Sequence, residues 1–327
     1  MNLQKNYNYC LDFVKGIACI FVVWMHCEFP GVMGTVVQAV SRFSVPFFFM
    51  VSGYFCFQVT EKEKMRQKIR HIAKMTLFST LFYLVFALFC SVYFHDLKWT
   101  LKWTSIVAWI GFNQPLPNLG HHLWFLFALL YTYVSYYFLS RHFHYRLLYV
   151  LALLMFAVYY ILAQGLHIVG VHIPNFVYRN WLVEGYAFFM LGHLLHAYKN
   201  KIRINNQALV LIIIVSSLLC FLERLLMGRD FGVNVCTLPQ VAALFLYAIK
   251  NPTRHEGLIQ RIGLNCSMLV YILHIFVYES FLRFYAALGI DDNILALYLL
   301  PILVVMCAIL LSMLCNKVVS GLKKDGC

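Results

Sequence analysis

Apolar residues recur along the chain in long runs that are bounded by charges, Pro, Gly or Asn. Ten such segments can be marked, and each approaches the ~20 residues that an α-helix needs to cross a bilayer. Their approximate bounds are 11–27, 35–58, 75–94, 122–140, 147–165, 180–198, 207–222, 231–249, 267–290 and 293–316. Only short connections remain between them. The pattern therefore predicts an all-α polytopic bundle of about ten transmembrane helices, forming a single integral membrane domain over residues 1–327.

The composition supports a membrane location. Of the 327 residues, 62% are hydrophobic and 12% are charged, whereas a soluble domain has about 45–50% apolar and about 25% charged residues. The first apolar run lacks a signal-peptide cleavage pattern, so we expect it to remain as a helix. The eleven cysteines form no CxxC pair. We interpret them as small membrane-core residues, not as a disulfide framework or a zinc site.

The formal net charge of +13 is explained by the bias of Lys and Arg toward cytoplasmic loops. Most of them fall on the N-terminal tail and the even-numbered connections, so both termini are expected in the cytoplasm and a nucleic-acid partner is not favoured. The densest basic run, 61–74, is interpreted as a cytoplasmic anchor that touches anionic lipid, with a surface for a polyanionic cofactor as the alternative. The stretch 99–120 carries three tryptophans and suits a helix in the outer interface, either roofing an acceptor site or serving as an aromatic belt.

Ionisable residues inside the predicted helices are the candidates for function, because each costs about 2.5–3.5 kcal/mol on insertion. The first segment contains Asp12, Lys15 and His26. Lys15 and His26 are eleven residues apart, which returns to nearly the same helix face and separates them by about 16 Å along the axis. The stripe Lys15–Cys19–Val22–His26 therefore combines a cation near the cytoplasmic end with an imidazole deep in the membrane.

An acyl-coenzyme A would fit this stripe, because it has anionic groups at one end and a thioester on a long arm. Lys15 could meet phosphate as a point charge, and His26 could meet the thioester or an acceptor hydroxyl. The residues alone allow a second interpretation, in which Asp12 and Lys15 form a helix-end ion pair and His26 makes an interhelical hydrogen bond.

The first helix resembles that of the acyltransferase 3 family, in which a Leu-Asp precedes a basic residue that is followed after ten residues by an essential His. Four further stretches match in the family's order, and together the matches span most of the chain. They are Arg42 to Tyr54 with Pro-Phe-Phe and Ser52-Gly53, His122-Leu-Trp124, Arg179-Asn180 with Glu184 and Gly192, and Gly263 to His274 with Ser267 and Tyr271. The chain is identified on these residues as similar to a family of polytopic membrane acyltransferases.

The resemblance implies an enzyme that moves an acyl group, expected to be acetyl, from cytosolic acyl-CoA to a hydroxyl of a cell-envelope sugar, polysaccharide or sugar-lipid. His26 would be the general base or would orient the thioester, and Lys15, positioned by Asp12, would engage the donor. The remaining candidate residues are expected to bind either the acyl-CoA donor or the sugar acceptor. Arg42 and Ser52 join Lys15 as residues for acyl-CoA, and the acceptor residues are Arg179, Glu184, Trp124 and His274.

Several of these residues also have purely structural interpretations. Ser52 and Gly53 are small residues that allow close helix packing, and Pro46 is expected to kink the second segment. Trp124 is also explained as an interface anchor, and His274 as a structural hydrogen-bonding group. Charges near the outer helix ends can form ion pairs; these are Arg179, Glu184, Glu223 and Arg224. His193 and His196 have no nearby carboxylate in sequence, so no metal site is predicted.

The main alternative function is a transporter or flippase of an acylated or glycosylated metabolite. Transporters often carry internal repeats, and the two halves of this chain show none. Direct acyl transfer is favoured over an acyl-enzyme, because no Cys or Ser has an identifiable adjacent base. The expected location is the bacterial inner membrane, in contact with membrane lipid, and assembly as a homo-oligomer is left open.

Overall fold

The computed structural model describes residues 8–57, 61–94, 113, 120–253 and 256–324. These described residues are mostly helical and contain no β-strand, so the all-α prediction is confirmed. The long helices are α1 Tyr9–His26, α2 Gly31–Ser41, α3 Ser44–Tyr54, α4 Lys62–Phe94, α5 Trp124–His142, α6 Tyr145–Tyr160, α7 Tyr186–Tyr198, α8 Asn206–Met227, α9 Thr237–Lys250, α10 Ser267–Leu288 and α11 Ile294–Lys324. Short helical turns precede or follow some of them, and most of the predicted interfacial helix at 99–120 lies outside the described residues.

All ten predicted apolar segments occur as helices. Among the described residues, eight helical stretches are long and apolar enough to cross a membrane, with α2 and α3 counted as one stretch and α10 counted with its preceding turns. The other two predicted segments correspond to 181–198, which contains α7, and to α9, which has only 14 residues. The protein is a multi-pass membrane protein.

The outer faces of the long helices carry large apolar side chains. Only 17% of the most apolar window of α8 is buried inside the protein, and Leu226 near its end is 85% exposed. Exposure on this scale would be costly in water but not in hydrocarbon, because lipid tails are as apolar as these side chains. The basic run predicted at 61–74 is the first part of the continuous helix α4, where Lys64 and Arg70 pair with Glu61 and Glu63.

The second predicted segment is interrupted at Arg42 and Phe43, which separate α2 from α3. Pro46 explains the break, because it has no N–H to donate to the carbonyl of Arg42 four residues earlier. Phe47 then donates its N–H to the carbonyl of Phe43 at 2.8 Å, which starts the hydrogen bonding of α3. The predicted kink is thus a separation into two helices with Arg42 at the junction.

The described chain divides into two compact units. The first unit combines the residues up to Phe47 with those from Ile204 onward, and the second runs from Phe48 to Arg203. In the first unit, α1 packs against α2, α9, α10 and α11, so the helix with the predicted reactive residues has neighbours on several sides. In the second unit, α5 packs against α4 and against the turn Trp181–Gly185, while α7 packs against α6.

Glycines bring backbones into contact at one crossing in each unit. In the first unit, a Cβ on Gly16 would collide with the carbonyl of Ile259, and one on Gly263 would collide with the carbonyl of Asp12. The turns that lead into α10 therefore lie directly against α1, beside Lys15. In the second unit, a Cβ on Gly53 would collide with the carbonyl of Phe189, which is the close packing expected of a small residue.

Candidate active site

Asp12 and Lys15 form an ion pair one turn apart on α1. The Lys15 ammonium donates to Asp12 Oδ1 at 3.0 Å. Asp12 is buried, and the Lys15 side chain is 18% exposed. The carboxylate lies in the first turn, where it also faces the positive end of the helix dipole. Asp12 therefore orients the Lys15 ammonium and partly balances its charge.

The stripe that runs from Lys15 to His26 faces the interior of the first unit. Cys19 and Val22, which lie between them on the stripe, are each 2% exposed. The Cys19 thiol lies 3.7 Å from the carbonyl oxygen of Ser267, the first residue of α10. Since Lys15 and His26 themselves are half-buried, neither terminal residue of the stripe is turned fully outward.

His26 meets His274 of α10. The two imidazole rings are 5.1 Å apart between centroids, with their planes at 43°. His274 is fully buried, and its Nδ1 lies 2.7 Å from the carbonyl oxygen of Tyr271. This bond assigns the proton of neutral His274 to Nδ1, which leaves Nε2 with the lone pair. Sequence reasoning named both histidines but did not pair them.

Cys27 follows His26 directly and is the nearest thiol in sequence to the imidazole pair. Burial raises the pKa of the Cys27 thiol to about 12, and the adjacent Glu28 adds to the rise. The thiol therefore stays protonated at neutral pH, and a thiol in this state is a poor nucleophile.

A buried polar network supports the last turn of α1. Gln38 donates from Nε2 to the carbonyl oxygens of Trp24 and Met25, at 3.0 and 3.1 Å. Arg42 donates to Gln38 Oε1 and pairs with Asp230. The two carbonyls belong to the residues immediately before His26, so the network holds the backbone that carries this imidazole.

Sequence reasoning named Arg42 as a donor-binding candidate but missed Gln38 and Asp230. In the structure, Arg42 is buried and makes the ion pair with Asp230, which also lies 3.7 Å from Arg224. Gln38 could have been found from the sequence, because it is a polar amide inside an apolar segment. Asp230 lies in a connection, where the sequence alone has no signal for its partner.

Two of the predicted acceptor residues meet in the second unit. The Arg179 guanidinium lies over the Trp124 indole, 4.9 Å from the ring centroid, as in a cation–π contact. Glu184, five residues after Arg179, is buried. The contact places an aromatic face and guanidinium N–H donors together.

Asn113 connects the two segments that carry these residues. Its Oδ1 accepts from the Trp181 N–H at 3.1 Å, and its Nδ2 lies 3.5 Å from the carbonyl oxygen of Trp124. Asn113 is buried and has a φ of 47°, in the left-handed region that Asn tolerates better than most residues. Sequence reasoning missed Asn113, although it lies within the stretch 99–120.

Ser52 and His193 have structural partners in the second unit. The Ser52 hydroxyl donates to the carbonyl of Phe48 at 2.9 Å, within its own helix. The two ring nitrogens of His193 lie 3.0 and 2.9 Å from the hydroxyls of Tyr136 and Tyr149. Across the described part of the chain, no group of three or more His, Cys, Asp or Glu residues is placed to hold a metal ion.

The candidate residues fall into two sets. The first unit contains Asp12, Lys15, His26, Arg42 and His274, and the second contains Ser52, Trp124, Arg179 and Glu184. The fold and the buried ionisable groups define a multi-pass membrane protein with an imidazole pair inside its helices.

The chain matches the acyltransferase 3 family, whose shared region is described as an acyltransferase domain, over residues 8–316, and it belongs to that family. It is therefore a membrane acyltransferase. No curated protein and no solved structure gives a significant match.

Proposed function

We propose that this enzyme transfers an acetyl group from cytosolic acetyl-CoA to a hydroxyl of a cell-envelope sugar, polysaccharide or lipid-linked sugar. The observation that carries the proposal is the contact between the rings of His26 and His274, 5.1 Å apart, inside the unit that also holds the Asp12–Lys15 pair. Family membership supports acyl transfer as the reaction class.

His26 is the general base of the proposed reaction. It takes the proton of the acceptor hydroxyl as the oxygen attacks the thioester carbonyl carbon. The C–O bond forms, the C–S bond breaks, and the proton passes to the sulfur, so that free coenzyme A leaves. A neutral imidazole is required for the first step, and His274 holds the His26 ring in place through its own fixed orientation.

Lys15 engages the anionic part of the donor. Its ammonium is a compact point charge that suits phosphate, and the helix rise separates it from His26 by about 16 Å. The nucleotide would therefore remain at the cytoplasmic surface while the thioester reaches His26. Arg42 acts indirectly, by holding through Gln38 the end of α1 that carries His26.

The second unit supplies sugar recognition in this proposal. Trp124 offers an aromatic face, Arg179 donates hydrogen bonds, and Glu184 accepts them. We assign Ser52 no ligand, because its hydroxyl donates to the carbonyl of Phe48 within its own helix. We place the enzyme in the bacterial inner membrane with both termini in the cytoplasm, because most Lys and Arg residues lie in the connections on that side.

The proposal is tested with purified protein, acetyl-CoA labelled in its acetyl group, and envelope glycans. We expect label on the glycan with the native protein and only a slow residual transfer with His26→Ala. His142→Ala is the matched control, because His142 is exposed at the end of α5, and it should retain transfer. Vesicle transport of label that persists in His26→Ala, without covalent transfer, would favour the transporter alternative.

A further inference from the structure

A cavity of about 430 Å³, open to the surface, lies in the first unit. One wall consists of the turns that lead into α10, and the other is the last part of α11. Its lining residues are Arg261, Asn265, Cys266, Met313, Asn316 and Lys317. Asn316 donates to the backbone carbonyl of Asn265 at 2.8 Å, so the two walls are joined by a hydrogen bond at the cavity.

The lining side chains carry two positive charges and, among the described residues that form the wall, no negative one. Arg261 and Lys317 provide N–H donors, and the two amides add further polar groups. Glu256 lies 3.6 Å from the Arg261 Nε and offsets part of this charge. A guanidinium beside an ammonium is a pattern that favours phosphate, because phosphate oxygens accept charge-assisted hydrogen bonds.

One wall of the cavity belongs to a segment that packs against α1, the helix that carries the proposed reactive residues. Ile259 and Gly263, in the same turns as the cavity wall, are in backbone contact with α1 at Gly16 and Asp12. Cys266 lines the cavity, and the next residue, Ser267, accepts the contact from the Cys19 thiol on the stripe. The segment that forms one wall of the cavity therefore also packs against the first turns of α1, which carry the Asp12–Lys15 pair.

The distance from the cavity to the imidazole pair matches the length of a coenzyme A arm. His274 is about 12 Å along the helix axis from Cys266 and about 20 Å from Arg261. The pantetheine arm has twelve chain atoms between the phosphate oxygen and the end of the thiol, and it extends about 14 Å, as four extended residues would. The arm length lies between these two separations, so a phosphate group at the Cys266 end of the cavity would leave the thioester within reach of the imidazole pair.

We propose that this cavity binds the phosphate groups of the coenzyme A donor, with Arg261 and Lys317 as the phosphate-binding side chains. The inference rests on the proposed function and assigns a donor subsite that is separate from Lys15. The nucleotide part lies at the cytoplasmic end of the first unit, and the arm follows α1 from there to His26. The same phosphate chemistry is offered by an anionic lipid headgroup, and the experiment separates these two sources.

The first test compares donor kinetics of the native protein with those of the double variant Arg261→Gln/Lys317→Gln. We expect the KM for acetyl-CoA to rise by at least about tenfold, as for the loss of a charge-assisted contact, while kcat changes by less than about twofold. The control is Lys201→Gln/Arg203→Gln, which removes two charges from the same expected membrane side outside the cavity. An unchanged KM in the Arg261/Lys317 variant overturns the assignment.

A donor without the 3′-phosphate, acetyl-dephospho-CoA, shows which phosphate group of coenzyme A the cavity binds. If the native protein prefers acetyl-CoA and the Arg261/Lys317 variant loses that preference, the cavity holds the 3′-phosphate. An equal rise in KM for both donors assigns the cavity to the diphosphate. Both results support the proposal.

A binding measurement tests the cavity independently of turnover. Coenzyme A should raise the thermal unfolding midpoint of the native protein and of the Lys201/Arg203 control, but not that of the Arg261/Lys317 variant. If phosphatidylglycerol vesicles stabilise the native protein more than this variant while coenzyme A stabilises both equally, the cavity is a lipid site and the proposal is wrong. If the native protein binds coenzyme A but transfers no acetyl group, the proposed function fails and the cavity assignment stands.

Discussion

The imidazole rings of His26 and His274 lie 5.1 Å apart between centroids, although they come from helices near opposite ends of the chain. Close backbone packing at Gly16 and Gly263 presses α1 against the turns that lead into α10. The hydrogen bond from His274 to the carbonyl of Tyr271 then fixes its ring. The packing of α1 against α10 and its preceding turns therefore brings the two imidazole rings together.

Replacing His274 with Asn should lower kcat by about 10²-fold, because His26 loses the ring that holds it in the orientation for proton transfer. The KM values for donor and acceptor should change little. Steady-state kinetics of labelled acetyl transfer measure both. The double variant His26→Ala/His274→Asn should be no slower than His26→Ala alone, because residues that act as a unit are not additive. Fully additive losses would show that the two histidines act independently.

Lys15→Ala should raise the KM for acetyl-CoA by about tenfold, because one charged contact to the donor is lost. Lys15→Arg keeps the charge and should be mild. Acceptor preference, measured with two different glycans, should stay unchanged in both variants. If neither substitution alters donor dependence, the Asp12–Lys15 pair has only a structural role.

Gln38→Leu should lower kcat more than it alters either KM, because the carbonyls of Trp24 and Met25 lose their shared donor and His26 loses a fixed backbone. Leaving these buried acceptors without the amide should also lower the free energy of unfolding by about 1–3 kcal/mol. Unfolding in detergent and transfer kinetics measure the two effects. The control is Gln207→Leu at an exposed position of α8, and equal losses in both variants would contradict the positioning role.

Trp124→Ala and Arg179→Ala should each raise the KM for the glycan by about tenfold, while the KM for acetyl-CoA stays the same. The indole face and the guanidinium are in contact. Removing either side chain therefore disrupts the surface that both form for the sugar. Trp181→Phe keeps an aromatic ring in the neighbouring turn and serves as the control. A change in the KM for acetyl-CoA alone would show that Trp124 and Arg179 do not bind the acceptor.

Cys27 should resist alkylation below about pH 10, because its raised pKa of about 12 keeps the thiol protonated throughout this range. Reactivity should increase only as the pH approaches the pKa, since the thiolate is the nucleophile. Mass spectrometry after treatment with a maleimide at a series of pH values measures the modified fraction. Cys27→Ala should keep near-native transfer, and a complete loss would indicate an acyl-enzyme at this thiol.

The helical architecture could be predicted because the membrane imposes a simple rule on the chain. Apolar runs of about 20 residues must form helices, since hydrocarbon offers no partner for backbone N–H and C=O groups. The segments at 147–165 and 207–222 illustrate this, because both occur as helices close to their predicted bounds. The break at Arg42 was also foreseeable from Pro46, although only as a kink.

The candidate site could be predicted in part. Asp12, Lys15 and His26 were found because ionisable residues are rare inside apolar runs, and their spacing on one helix decides that they share a face. Asn113 and Asp230 were missed because they lie in connections, where no periodicity relates them to a partner. Their contacts with Trp181 and Arg42 come from segments that are distant in sequence.

By itself the sequence determined the membrane class, the set of helices, the family resemblance and the stripe on α1, because each of these depends on residues that are close together along the chain. Only the tertiary structure decided that His274 is the neighbour of His26, that Gln38 holds the end of α1, and that Arg261 and Lys317 line one cavity. These relationships depend on how helices pack, and packing is set by side-chain shapes and backbone contacts between segments that the order of residues does not reveal.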